Sequence, residues 1–175
     1  MKLSFITLCR FDRRTEAIMK TVKIAAGGFA LGLGAFMAAP MWAAEYTAVM
    51  PPDIKWNDAP SLGPGAKSAV IDGDPKSSGP FVMRLKAPPK TQIRVHTHPA
   101  DENVTVLSGT LYFAEGDKFD TKTAKRFGPG SYFSIGKGKP MFAYTTNKEV
   151  VVQVHGNGPW GLTYLDPADA AAKKK

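Results

Sequence analysis

Three side chains within seven positions carry the strongest chemical signal in this sequence: His96, His98 and Glu102. The chain has three histidines in all, and two of them stand as His96-Thr97-His98. Residues two apart on a strand point to the same face, so both imidazoles aim together, inward or outward. Pro99-Ala100-Asp101 reads as a turn, and the returning chain would bring the Glu102 carboxylate level with both rings. Two neutral imidazoles and a carboxylate on adjacent corners form a facial triad. That set suits a divalent first-row metal and leaves coordination positions open for substrate or oxygen. Spacing alone is equally compatible with an exposed pair on a solvent-facing strand.

The third histidine closes the run Val150-Val151-Val152-Gln153-Val154-His155. Alternation puts Val151, Gln153 and His155 on one face and Val150, Val152 and Val154 on the other. With the valines against the outer layer, Gln153 and His155 face the cavity. Gln153 is then a substrate contact, and His155 a catalytic general acid and base near neutral pH. The alternative is a strand-end histidine bonded to a backbone group beside the turn at 156–159. Phe142 and Tyr144 are read as substrate-binding aromatics lining a pocket; Trp160, Tyr164 and Phe133 are further pocket candidates, although aromatic residues on strands more often belong to the core. Asp101 is expected to face solvent, and the cluster at 122–126 to be a solvated loop. The sequence carries no phosphate-cradling glycine loop and no serine–histidine–acid signature.

These residues need a scaffold of short strands. The 175 residues allow one domain with an appendage. Seventeen glycines and fourteen prolines punctuate the chain. After residue 66, β-rich runs at 67–71, 81–85, 92–96, 104–107, 110–114, 132–135, 142–145, 150–154 and 161–165 alternate with turn residues. That pattern predicts a single all-β domain, a sandwich or barrel, over 67–167. Residues 45–66 read as an extended arm packed on the core, and 168–175 as a frayed, charged tail.

The run His96-x-His98-x-x-x-Glu102, with Gly109 seven residues on, resembles the first signature of the cupin family. Starting at Gly130, the glycine frame of the second signature is present. Gly136 stands where proline is usual, Met141 where the histidine is, and Thr145 where the asparagine is. Lys90 likewise replaces the glycine that begins the first signature. The resemblance covers roughly 67–165 and implies a cupin-type double-stranded β-helix, a jelly-roll barrel. It implies one divalent first-row transition metal (Mn, Fe, Ni, Cu or Zn) held by His96, His98 and Glu102, with Met141 in the fourth place. A thioether is a soft ligand that favours Cu(I). The other reading of Met141 is a flexible filler of barrel volume, which leaves a three-ligand site. The segment 154–161 also resembles the closing strands of small exported cupins. Two functional classes follow. One is a metal-dependent enzyme acting on a small molecule, with oxygenase, isomerase or decarboxylase chemistry. The other is a non-catalytic periplasmic cupin that binds a small ligand or metal. The family also implies a homodimer.

The N-terminus reads as an address. A basic stretch at 19–23, an apolar run at 24–37 and a small-residue segment ending near Ala43 or Ala44 follow the order of a secretory signal. The run is short for a membrane span of about 20 residues. Residues 1–18 are expected to be an over-extended start, with Met19 the true one. Arg13-Arg14 offers a twin-arginine alternative, and an uncleaved anchor is another. Removal of 19–44 predicts a periplasmic or secreted protein without a stable membrane anchor. The net charge of +8 does not predict nucleic-acid binding. Four of those charges precede Glu45, and three are the terminal lysines, so the remainder is near neutral. The lone cysteine, Cys9, excludes a disulfide framework within the chain and a cysteine-rich zinc site.

Overall fold

Gly, Pro, Asp and Asn cut the chain into strands, and alternation within each strand decides which side turns inward. The computed structural model describes residues 46–172, with side chains described to residue 170. Its strands are β1 (Asn57–Asp58), β2 (Lys67–Gly73), β3 (Pro80–Ala87), β4 (Gln92–Thr97), β5 (Glu102–Ser108), β6 (Leu111–Glu115), β7 (Lys125–Phe127), β8 (Tyr132–Ile135), β9 (Met141–Tyr144), β10 (Val150–Asn157) and β11 (Thr163–Tyr164). A short helix, α1 (Pro167–Ala172), follows. The strands form two antiparallel sheets, β1-β2-β3-β10-β5-β8 and β11-β4-β9-β6-β7. This is the all-β sandwich that the turn-punctuated runs imply, in the jelly-roll form that the cupin resemblance implies.

The centre of the first sheet is β10, paired along its whole length with β3, from Val150 opposite Ala87 to Asn157 opposite Pro80. On its other side it pairs with β5. Every second residue of these strands is buried: Phe81, Met83, Leu85 and Ala87 on β3, Val104 and Val106 on β5, Val150, Val152 and Val154 on β10. They pack against Leu111 and Ala143 of the second sheet, and Ile93, Phe113 and Phe133 close the same core. Burying a valine or leucine side chain contributes about 1.5–3 kcal/mol each, so the interleaved inner faces hold the sheets together.

The second sheet has a further apolar patch on its outer side. Val95, Ala114 and Phe142 are buried there beneath Phe119 and Ala124, with Tyr144 packed alongside. The Phe119 ring lies 4.8 Å from Phe142, and the Arg94 guanidinium sits 4.4 Å over Phe119. The connection between β6 and β7 thus covers this sheet's back. The glycine that ends the first motif, Gly109, turns at φ +77° beside the start of β10. A Cβ there would collide with the Glu149 carbonyl oxygen, so the position requires glycine.

The segment before β2 is anchored by Ala59, Leu62 and Ala66, which are buried in the main core, and by β1 pairing with β2. Two expectations change. Lys125–Phe127, which overlaps the stretch 122–126 read as a solvated loop, is a strand paired with β6. Of the tail expected to fray, residues 168–172 instead belong to α1. Asp166 accepts a hydrogen bond from the Ala168 N–H at 2.8 Å, and Asp169 pairs with Arg94 at 3.4 Å. Expectations about residues 1–45 and 173–175, including the leader and Cys9, lie outside the described residues.

Candidate functional site

A bulge in β4 decides which way the paired histidines point. Opposite β9, Ile93 pairs with Ala143 and His96 with Met141, so three steps on β4 match two on β9. Such an extra residue bends the strand and re-aims side chains. Ile93, His96 and His98 therefore all line the interior cavity, while Val95 joins the outer patch. With regular alternation, Ile93 and His96 would face opposite sides. The bulge is tied by His96 itself, whose Nδ1 lies 2.7 Å from the Arg94 carbonyl. Both histidines are 4% exposed.

The segment after β10 positions the rest. His98 Nδ1 lies 2.5 Å from the Gly161 carbonyl. The neighbouring Trp160 stacks on the His98 ring at 5.1 Å and 20°. Its indole N–H donates to Glu102 Oε1 at 3.0 Å. Glu102 opens β5, faces inward like Val104 and Val106, and is 6% exposed. Its Oε2 stands 3.5 Å from His98 Nε2, and the His96 ring meets His98 edge-on at 4.9 Å. From the second motif, Gly138 adopts φ +72° and donates its N–H to the His98 carbonyl at 2.9 Å.

A ring nitrogen facing a backbone carbonyl must carry the proton. In its neutral form each imidazole thus carries its hydrogen on Nδ1 and its lone pair on Nε2, as metal-binding histidines usually do. Burial lowers the His96 pKa to about 4, helped by neighbouring His98 and opposed by the Arg94 carbonyl. His96 is therefore neutral at pH 7. Burial raises the Glu102 pKa, and the His98 interaction and the Trp160 hydrogen bond pull it back down.

The donor chemistry suits a divalent first-row ion: two lone-pair nitrogens and a carboxylate. The 3.5 Å between His98 Nε2 and Glu102 Oε2 is long for a hydrogen bond. It matches two donors each about 2.1 Å from a shared ion, which at a tetrahedral angle lie about 3.4 Å apart. His96 does not complete that pair into a closed set. Among the described residues, no three His, Cys, Asp or Glu side chains stand gathered around one ion position. Met141 is 2% exposed, opposite His96, and lines the same cavity. Thr145, in the asparagine position of the second motif, has a structural job. Its hydroxyl donates to the Pro88 carbonyl at 2.6 Å and accepts from the Thr91 N–H at 2.9 Å.

Four site expectations are corrected. Gln153 and His155 lie on the outer face of β10, because Val150, Val152 and Val154 take the inner face and line the cavity. Gln153 accepts from Arg84 Nε at 3.3 Å, and the His155 carbonyl accepts from Asn103 at 3.1 Å. Phe142 is fully buried, but in the outer patch. Tyr144 stacks on Tyr112 at 4.9 Å on that same side. Asp101 is exposed and accepts from the Lys137 N–H at 2.7 Å. Trp160 is a pocket candidate from sequence, but its contacts with His98 and Glu102 and the part played by Gly161 are not evident there. The available signal was a Trp-Gly pair directly after the Gly-Asn-Gly-Pro turn, where the chain must return to the barrel.

No protein-family model matches the chain, and no curated protein matches it by sequence. Solved structures do match. The polyketide cyclase RemF from Streptomyces resistomycificus is 16% identical with a TM-score of 0.58, over 75% of this chain and 94% of that one. An RmlC-like cupin protein from Ralstonia eutropha is 18% identical with a TM-score of 0.56, over 71% and 75%. This is the cupin fold. The DMSP lyase DddQ from Ruegeria pomeroyi, at 17% identity and a TM-score of 0.52 over 64% and 61%, has a similar arrangement. At these identities the likeness is one of cupin architecture, and one barrel hosts many chemistries.

Proposed function

We propose that this chain is an exported cupin that acts on a small organic molecule at a divalent-metal centre held by His96, His98 and Glu102. The carrying observation is the backbone carbonyl that faces Nδ1 of each imidazole. The Arg94 and Gly161 carbonyls each take an Nδ1 proton and leave two Nε2 lone pairs at the same end of one cavity. His96 and His98 would hold the ion through Nε2 and Glu102 through Oε2. An ion bound there would supply Lewis acidity or redox capacity to oxygenase, isomerase or decarboxylase chemistry.

The chain's own residues do the rest. Trp160 fixes the carboxylate's orientation through Oε1 and covers one face of His98. The neutral state of His96 keeps its lone pair available. The valine and phenylalanine walls exclude water, which strengthens polar interactions at the reacting end. The structurally similar proteins include one named a polyketide cyclase and one named a DMSP lyase, which supports chemistry on small molecules. Export rests on the secretory pattern at 19–44.

Elemental analysis of the purified chain tests the reading. About one equivalent of Mn, Fe, Ni, Cu or Zn per chain, lost in His96→Ala, supports it. A chain that neither retains nor takes up any of these ions refutes it. Met141 favours a second reading, a non-catalytic binder. A thioether replaces the fourth nitrogen donor of the family pattern, which weakens a site for hard or borderline ions.

A further inference from the structure

We infer that the cavity selects short organic molecules with one polar head and an otherwise uncharged, apolar body. This rests on the proposed function in taking the His96–His98–Glu102 end as the working end, and adds the class of molecule that fits.

The strand registers grade the cavity from one end to the other. On β4, Ile93 lies before the bulge and His96 after it, with His98 just past the end of the strand. On β5 and β10, Glu102 and Val154 lie toward the histidine end, while Val150 lies opposite Ala87 at the far end. All of these line one cavity. Every ionisable or hydrogen-bonding side chain in the lining belongs to the histidine end: His96, His98, Glu102 and Trp160. Trp160 has already given its one N–H to Glu102. The remaining walls are aliphatic or phenylalanine side chains, apart from the Met141 thioether. The strand backbones behind them are committed to sheet pairing.

A charge or hydroxyl carried into the far end would lose its water and find no partner there. Among the described residues, no lysine or arginine lines the cavity to pair with a phosphate or a second carboxylate, and no serine, threonine, asparagine or glutamine lines it to receive sugar hydroxyls. Size narrows the class further. The interior space is about 60 Å³, and an apolar cavity of about 150 Å³ accommodates benzene. By proportion, between about two and three non-hydrogen atoms fit in the cavity without rearrangement, so only short molecules can be admitted by a modest widening.

The test holds the head constant and changes only the tail. Butyramide, succinamate and 4-aminobutyramide share an amide head and end in a methyl, a carboxylate and an ammonium group. Saturation-transfer NMR on the purified chain, both metal-stripped and metal-loaded, should show butyramide binding at least tenfold more tightly than either charged analogue. Val152→Phe should abolish that binding, and the milder Ala143→Val should weaken it if Val152→Phe fails to fold. Absence of butyramide binding overturns the inference. So does equal or tighter binding of a charged analogue, or butyramide binding that neither filling variant reduces. The metal-stripped arm separates this inference from the proposed function. A preference for butyramide in a chain that takes up no metal sustains the cavity class and refutes the metal centre. Metal uptake without any tail preference does the reverse.

Discussion

β4 with the residue that follows it, and β10, each carry a polar pair two residues apart, and the fold sends the two pairs in opposite directions. His96 and His98 enter the cavity; Gln153 and His155 face outward. On β10, unbroken alternation leaves the valines inside, where apolar burial is worth most. On β4 the bulge reverses the parity between Ile93 and His96. It places two imidazoles inside without giving up Ile93 to solvent. Period-two spacing groups side chains, and local irregularity decides where the group goes.

The largest effect should come from the outer patch of the second sheet. Phe142→Ala is expected to destabilise the fold by about 3–5 kcal/mol in urea unfolding, because Phe142 is fully buried. Gln153→Ala, on the outer face of β10, should stay within about 0.5 kcal/mol. A small loss for Phe142→Ala would contradict its place beneath Phe119.

Next comes a pH dependence of the metal-free chain. The folded-state pKa of His96 is lowered from 6.5 to about 4, so the unfolded state binds the proton more readily. His96 costs no stability above about pH 6.5. As pH falls from 6.5 toward 4, stability should drop by on the order of 3 kcal/mol. Glu102 acts in the opposite sense. Its raised pKa gives a contribution that is present in acid and fades as pH rises above 4.5, so it offsets part of the loss. His96→Gln should flatten the fall between pH 6.5 and 4 in thermal unfolding. An equally steep fall in that variant would assign the effect elsewhere.

Met141→His carries the smallest of these effects. An imidazole opposite His96 should tighten Zn or Ni binding on the order of tenfold, about 1.4 kcal/mol. Overpacking by the stiffer ring would cost about 1–3 kcal/mol of stability. Unchanged affinity in a folded variant would remove Met141 from the ion's surroundings and leave it as filler.

The strands were legible because turn residues bound nearly every run, and the His-x-His…Glu spacing located the reactive end. The direction of β10 was not legible: alternation divides its residues into two faces without saying which face meets the core. β7 was hidden because Lys125-Arg126-Phe127 is short and mostly charged. α1 did carry a signal in Asp166-Pro167, an N-cap residue followed by proline at the first helical position. The β4 bulge had none, since it arises from how β4 registers against β9. The part played by Trp160 depends on a long-range approach to Glu102, 58 residues away in sequence.

The contrast between β4 and β10 is tested most directly by metal titration into the stripped chain, followed calorimetrically with Zn or Mn. The wild-type chain should take up one equivalent. His98→Ala should weaken binding at least about 100-fold, or about 2.7 kcal/mol, while His155→Ala should match the wild type. Binding that survives in His98→Ala, or that is lost in His155→Ala, would contradict the account.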